Sequence, residues 1–229
     1  MVQQKKGLTE FKKYSYIALN FGAGLIRSVF QTSLYCIKRG YLHQKKIVFH
    51  DDRGFGEVYQ KEVYQKAAEY MLIHQWTSVI DIGCGSGYKL IKYLGDYQIL
   101  GIDFEPVISQ AQNDYPSHAW LKAENCILQD QKAQLIICAD MIEHVEDPDE
   151  FMKSVISIKN WKCIMISTPE RNLRRGRHHY GPPPNCSHWR EWSKKEFFNF
   201  ISKYLQVHIH EIINPAQATQ LIICIKHSE

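Results

Sequence analysis

Carboxylate and imidazole side chains stand close together in residues 140–144, which read Asp-Met-Ile-Glu-His. If these residues form a helical turn, Asp140, Glu143 and His144 lie on one face, because positions three and four apart are neighbours there. A neutral His144, or the later His188, could take a proton from a hydroxyl group, with Glu143 beside it.

A glycine-rich turn precedes this stretch and predicts a ligand site. The β-branched run of residues 78–82 is followed by Gly83, Gly85 and Gly87. A strand that ends in such a turn and opens into a helix presents bare backbone to a ligand. The third glycine comes one position earlier than in the dinucleotide fingerprint GxGxxG. The spacing therefore favours a nucleoside with an amino-acid tail over a dinucleotide, and a turn without any ligand is the alternative.

An acidic residue follows at the end of the next predicted strand, in Gly101-Ile102-Asp103-Phe104. A carboxylate there can accept hydrogen bonds from both ribose hydroxyls of a nucleotide. The alternative is that Asp103 caps the helix that follows it.

These motifs, in this order, resemble those of the class I S-adenosylmethionine-dependent methyltransferases. The resemblance covers about residues 60–226 and rests on residues 79–87, 101–103 and 140–148. It implies that S-adenosylmethionine is the cofactor. The predicted cofactor contacts are Asp81, Gly83, Gly85 and Gly87 at the methionine end, Asp103 at the ribose, Phe104 beside the adenine, Glu124 or Asn125 at the adenine edge, and Asp140.

The Glu-His pair resembles that of the ubiquinone-type O-methyltransferases. It also resembles small-RNA 2′-O-methyltransferases, in which an ExxEH run and a later histidine bind a divalent metal. That resemblance implies that Asp140, Glu143, His144 and His188 could hold Mg²⁺ or Mn²⁺, and we favour the interpretation without a metal. Asp140 departs from that pattern, because it stands where the first glutamate is expected. We therefore predict O-methylation of a small molecule or glycan. A metal-assisted RNA 2′-O-methyltransferase and a non-catalytic cofactor-binding scaffold subunit are the alternatives, and no RNA-binding module is visible.

The acceptor loop is predicted in residues 168–192, after the fifth strand. The segment holds five arginines and three histidines against two glutamates, which predicts an acceptor with anionic character. Tyr180, Arg177 and Arg190 are the predicted acceptor contacts, and a solvated basic loop is the alternative.

Regular alternation of strands and helices from residue 77 predicts a doubly wound, mainly parallel Rossmann-like sheet. Seven strands are expected, over about residues 77–82, 97–103, 118–122, 134–139, 163–167, 206–213 and 219–226, the last two as an antiparallel edge pair. One or two helices over 8–42 and a loop over 47–56 form an N-terminal helical cap and lid region, residues 1–56. The methyltransferase domain takes 57–229.

Composition indicates a cytoplasmic protein. Seven cysteines without a CxxC pair, several of them in apolar runs, are typical of buried reduced thiols and not of disulfides or a zinc site. A net charge of +4 is too small to argue for nucleic acid. Residues 14–37 are apolar but include Asn20 and Arg27, which disfavours a spanning helix. An amphipathic helix that caps the domain is favoured, and contact with a membrane surface is the alternative.

Overall fold

The computed structural model describes residues 18–48 and 56–226. Its sheet has seven strands in the order β3-β2-β1-β4-β5-β7-β6, which confirms the predicted Rossmann-like architecture. The strands are β1 (Ser78–Ile82), β2 (Gln98–Asp103), β3 (Ala119–Lys122), β4 (Leu135–Cys138), β5 (Cys163–Pro169), β6 (Ile209–Asn214) and β7 (Thr219–Ile225).

Strand direction follows the prediction. β1 pairs in parallel with β2 and β4, and β5 extends the parallel set beyond β4. β7 runs antiparallel to both β5 and β6. Every residue of β4 is buried, as expected for a strand that is covered on both faces. Successive side chains of the strands alternate between two apolar cores, one on each face of the sheet.

The helices of the domain are α2 (Lys61–Ile73), α3 (Tyr88–Leu94), α4 (Val107–Asp114), α5 (Pro148–Ile156), α6 (Arg171–Arg175) and α7 (Lys194–Ile201). Two of these helices begin with side-chain caps. Asp147 accepts two backbone N–H bonds at the start of α5, where Pro148 takes the first helical position. Ser193 and Glu196 form the capping box of α7, and Trp192 packs on Phe197 with ring centroids 5.9 Å apart.

The N-terminal region is only partly helical. Residues 18–30 form a helix, here α1, but the prediction of helix over 31–42 was wrong. The backbone turns at Tyr35, Cys36 and Gly40, whose φ angles of 51°, 60° and 78° are incompatible with a right-handed helix. Residues 8–17 and 49–55 of the predicted helix and loop lie outside the described residues. No helix within the described ranges is long and apolar enough to cross a membrane.

Residues 35–48 run along the acceptor loop in place of the predicted helix. The Leu42 N–H donates to the Tyr180 carbonyl at 2.8 Å, and the Val48 N–H donates to the Cys186 carbonyl at 3.0 Å. Ile37 and Tyr41 are buried within the same core as α5 and α7. This part of the N-terminal region is therefore packed into the sheet's own core.

Candidate active site

A cleft of about 810 Å³ opens at the carboxyl ends of β1, β2 and β4. This is the position at which doubly wound sheets bind ligands, because the strand order reverses there. The described lining residues are Ile47, Val48, Gln60, Ile82, Gly83, Gly85, Ile102, Asp103, Phe104, Val107, Ala123, Cys126, Leu128, Ala139, Asp140, Met141, His144, Val145, Glu146, Asp147, Glu150, Phe151, Ser154 and Trp189.

The three glycines of the turn differ in their surroundings: two line the cleft, and one is buried. Gly83 and Gly85 line the cleft with φ angles of 78° and 57°, so the backbone itself forms that wall. Gly87 also has a positive φ, 73°, but it is buried under the Trp120 indole. A Cβ at Gly87 would lie 2.4 Å from Trp120 Cη2. The third position thus requires glycine because any side chain there would clash with Trp120.

Asp81 is fully buried and is not among the lining residues described for the cleft. The Tyr64 hydroxyl of α2 donates a hydrogen bond of 2.7 Å to Asp81 Oδ2. Asp81 therefore lies beneath the glycine turn, held in place by Tyr64. Sequence reasoning missed Tyr64, since nothing in the spacing of α2 marks it out from other apolar-face residues.

Asp103 lies at the cleft wall and is fixed by two backbone donors. Its Oδ2 accepts from the Gly85 N–H and its Oδ1 from the Phe104 N–H, both at 2.7 Å. An ionised carboxylate has about four acceptor sites and can accept more hydrogen bonds than these two. The Phe104 ring is 47% exposed and lines the same wall.

The apolar part of this wall comes from residues that the sequence did not identify. Val107, Ala123, Cys126 and Leu128 line the cleft beside Phe104. The predicted adenine-edge pair, Glu124 and Asn125, is exposed on a 3₁₀ turn over Ala123–Asn125, and neither residue is among the described lining. Ala123 and Cys126, on either side of this pair, line the cleft instead.

Asp140 lines the cleft directly after β4. Its φ angle is 48°, and its carboxylate Oδ1 accepts from the Ser167 hydroxyl at 2.6 Å. Burial raises the pKa of Asp140. The prediction that Asp140, Glu143 and His144 share one helical face was wrong for Asp140, because the 3₁₀ turn covers only Ile142–His144.

Glu143 is buried, with 1% of its surface exposed. Its Oε2 accepts from the Thr168 hydroxyl at 2.8 Å. Burial, together with the negative charge of Asp140, raises the pKa of Glu143 well above its ordinary value. A cation near the Glu143 carboxylate would stabilise its ionised form and lower this pKa.

The two predicted catalytic histidines lie together, with ring centroids 4.8 Å apart. His144 Nδ1 is 2.8 Å from the Ser187 carbonyl, which can only accept, so this nitrogen carries the proton. His144 lines the cleft, and His188 is buried behind it. His188 Nδ1 lies 3.1 Å from Glu191 Oε1, and its Nε2 lies 2.9 Å from Asn185 Nδ2. Its two neighbours in the chain contact the turn that carries His144: the Ser187 carbonyl accepts from His144, and the Trp189 N–H donates to the Glu143 carbonyl at 2.8 Å. His188 therefore lies on the segment that orients this turn.

Three of the four proposed metal-binding side chains come together. Glu143, His144 and His188 each offer one donor atom, and these atoms lie within 4.8 Å of one another. Asp140 is not part of this group, although it lies on the same stretch of chain. The donor set of one carboxylate and two imidazoles suits a transition ion better than Mg²⁺.

None of the predicted acceptor contacts is among the described lining of the cleft. Arg190 is buried, and its guanidinium donates to the carbonyls of Val145 at 2.7 Å and Glu146 at 2.6 Å. The Tyr180 ring packs beneath the Lys38 ammonium, 3.7 Å from the ring centroid, and Arg177 is exposed. Arg190 and Tyr180 thus support the fold.

The charge of the cleft is opposite to that of the acceptor loop. Five carboxylate residues and no lysine or arginine are found among its described lining: Asp103, Asp140, Glu146, Asp147 and Glu150. Arginines of the loop pair internally instead, Arg171 with Glu196 at 2.7 Å and Arg175 with Glu191 at 3.3 Å. The hydrogen bond from His188 and the charge of Arg175 overcome the effect of burial and lower the pKa of Glu191 to about 2.

Comparison with known proteins agrees with the fold. A family model described as a methyltransferase domain matches residues 45–224. The methyltransferase domain of a bacterial Hen1 (CtHen1-C) is 20% identical, with a TM-score of 0.57 over 74% of this chain and 99% of that one. The plantazolicin methyltransferase BpumL is 16% identical, with a TM-score of 0.59 over 77% and 87%. A Clostridium acetobutylicum S-adenosylmethionine-dependent methyltransferase is 12% identical, with a TM-score of 0.57 over 76% and 95%. No curated protein sequence matches.

Proposed function

Because this chain belongs to the class I S-adenosylmethionine-dependent methyltransferases, we propose that it methylates a hydroxyl oxygen of a small-molecule or glycan acceptor. The observation that carries the proposal is the position of His144 on the cleft wall, with Nδ1 held by the Ser187 carbonyl. A neutral ring in this tautomer has its basic site on Nε2. That nitrogen can take the hydroxyl proton.

The cleft suits S-adenosylmethionine, whose sulfonium supplies the methyl group. Gly83 and Gly85 present bare backbone to the cleft. Gly83 is also required by its neighbour, because a Cβ there would lie 2.5 Å from Met141 Cγ. Asp103 has acceptor capacity for ribose hydroxyls, and Phe104 offers an aromatic face to the adenine. Asp140 would face the ammonium group of the methionine end. Asp81 acts from below by fixing the turn through Tyr64.

Methyl transfer from a sulfonium needs chiefly in-line alignment of the acceptor oxygen and the methyl carbon. His144 would contribute by removing the hydroxyl proton as the oxygen–carbon bond forms and the carbon–sulfur bond breaks. His188 would hold the neighbouring backbone and keep the His144 ring in one orientation, which makes it a positioning residue. Glu143, whose carboxylate accepts a hydrogen bond from the Thr168 hydroxyl, would help to hold this turn in place.

The acceptor that fits the cleft is uncharged or cationic. Carboxylates on the lining repel an anion, and two loop arginines, Arg171 and Arg175, are paired with glutamates. The predicted anionic character therefore does not apply to the part of the acceptor that enters the cleft.

The test is label transfer from methyl-labelled S-adenosylmethionine to pools of hydroxyl-bearing small molecules and glycans. His144→Gln is expected to lower turnover by about 10²- to 10⁴-fold, because a positioned base is lost. S-Adenosylmethionine affinity, measured by calorimetry, should stay unchanged. His74→Gln, on the exposed end of α2, is the matched control. Full turnover in His144→Gln, or a product methylated on nitrogen or carbon, would contradict the proposal.

A second candidate is metal-assisted 2′-O-methylation of RNA. The donor atoms of Glu143, His144 and His188 within 4.8 Å favour it, and a cation would stabilise the buried Glu143 in its ionised form. A solved structure titled small RNA methyltransferase HEN1 is similar in fold, at 21% identity and a TM-score of 0.58. That likeness supports the fold alone, and this chain covers 27% of the HEN1 chain.

Calorimetric titration of Mn²⁺ into the wild type and Glu143→Gln separates the two candidates. Saturable binding that Glu143→Gln abolishes, with label transfer to an RNA pool that excess chelator stops, would establish the second candidate. Label transfer that continues in excess chelator would remove it and leave the metal-free proposal.

A further inference from the structure

Helix α1, residues 18–30, has its polar side chains turned toward the protein. Asn20 Nδ2 donates to the Gly181 carbonyl, and its Oδ1 accepts from the Tyr180 N–H, both at 2.8 Å. Arg27 Nε donates to the Gly40 carbonyl at 3.2 Å. These two polar residues of α1 thus attach it to the acceptor loop and to the segment after it.

The outer face of α1 is apolar, the reverse of an ordinary surface helix. Large side chains there are exposed to the following extents: Leu19 73%, Leu25 53%, Ile26 67%, Val29 72% and Phe30 84%, and Leu34 follows at 53%. Single exposed apolar residues need no explanation, but a contiguous row on one helix indicates a binding surface.

The chain around α1 is strongly basic. Residues 11–50 contain seven lysines and arginines and no aspartate or glutamate, whereas the whole chain carries a net charge of only +4. Three of these cations, Arg39, Lys45 and Lys46, are exposed in the segment after α1. An apolar helix face with flanking cations is the composition of helices that lie on anionic membranes.

We propose that the outer face of α1 docks onto the surface of an anionic lipid bilayer. The apolar side chains would enter the boundary between headgroups and acyl chains, and Arg39, Lys45 and Lys46 would contact lipid phosphates. The helix would lie in the plane of the interface. A protein partner would explain the apolar row, but it would not by itself explain the exclusion of acidic residues from the whole segment.

Helix α1 is linked to the cleft by the chain that follows it. Asn20 of α1 holds the loop at Tyr180, and residues 42–48 run from there to Ile47 and Val48 on the cleft wall. The inference does not depend on the proposed acceptor or on His144.

Sedimentation of the full chain with vesicles tests this inference. The vesicles are equal parts phosphatidylcholine and phosphatidylglycerol, with pure phosphatidylcholine for comparison. Wild type should bind the anionic vesicles, more weakly at high salt, and bind the neutral ones far less. Ile26→Glu with Val29→Glu should weaken binding at least about tenfold, because two inserted apolar side chains become charged.

The matched control is Leu72→Glu with Ile73→Glu on α2, where the side chains are 73% and 63% exposed. It makes the same charge change and should leave vesicle binding within about twofold of wild type. Thermal unfolding should be the same for all three proteins, because the altered residues are exposed. Failure of the wild type to bind would overturn the proposal, as would equal loss in both variants. Light scattering that shows a dimer dissociated by Ile26→Glu with Val29→Glu, without vesicle binding, would assign the face to a second copy.

Discussion

Replacement of Arg190 tests whether this arginine binds the acceptor or holds the turn that carries His144. Its guanidinium donates to the Val145 and Glu146 carbonyls and lies 4.6 Å from the centroid of the Tyr35 ring. Burial lowers the pKa of Arg190 to about 10, which leaves it charged at neutral pH. Arg190→Met keeps most of the side-chain volume and removes every hydrogen bond.

The expected loss in the free energy of unfolding can be worked from these contacts. A hydrogen bond to a charged group contributes about 1.5–3 kcal/mol. Val145 and Glu146 are partly exposed, so water can replace some of the lost donors, and the lower value applies to each bond. The bonds to the two carbonyls, without the longer third bond of 3.3 Å from Arg190 Nε to His43 Nδ1, together give about 3 kcal/mol. This loss lowers Tm by about 6–12 °C in a domain of this size.

Thermal unfolding and steady-state kinetics together test this prediction. We expect Arg190→Met to lower Tm and to lower kcat, because the turn that carries His144 loses its support. Arg177→Met, at an exposed position of the same loop, should change stability by less than about 0.5 kcal/mol. The reasoning is refuted if Arg190→Met leaves Tm unchanged and raises only the KM for the acceptor, which would mark Arg190 as an acceptor contact.

Three further substitutions probe the packing around the site. Gly87→Ala should lower the free energy of unfolding by about 1–3 kcal/mol in urea, since its Cβ would meet the Trp120 ring. Gly56→Ala, at a φ of 53° and with no atom within 4 Å, should lose only about 1 kcal/mol. Tyr64→Phe should lower the free energy of unfolding by about 1–3 kcal/mol and weaken S-adenosylmethionine binding, because buried Asp81 loses a hydrogen-bond donor. An unchanged affinity in calorimetry would contradict this. Burial, aided by the charge of Arg190, lowers the pKa of His43 to about 4, so the folded state binds fewer protons below pH 6.5. Stability should fall as pH drops from 6.5 toward 4, and His43→Gln should reduce that slope.

Local sequence signals were sufficient where a short segment determines its own structure. The apolar run of β4 predicts a strand covered on both faces, and the Ser193–Glu196 pair predicts the start of α7. The ligand turn at Gly83 and Gly85 is equally local, because positive φ angles at these positions require glycine.

Contacts between distant segments could not be predicted in this way. The sequence predicts Arg190 as an acceptor contact, and only the fold brings the Val145 and Glu146 carbonyls to its guanidinium. The spacing of Gly87 suggests a ligand, whereas its neighbour is Trp120 of another strand. The aromatic and basic residues of 31–42 read as helix, but they turn because Ile37 and Tyr41 are anchored in the core of the sheet.

A crystal structure of the chain with S-adenosylhomocysteine bound is the most direct test of the proposed site. We predict that the ribose hydroxyls lie on Asp103, that the amino-acid end lies along Gly83 and Gly85, and that the sulfur faces His144. A ligand bound outside this cleft, or bound in it with the adenine on the side of His144 and the sulfur directed away, would contradict the proposed chemistry.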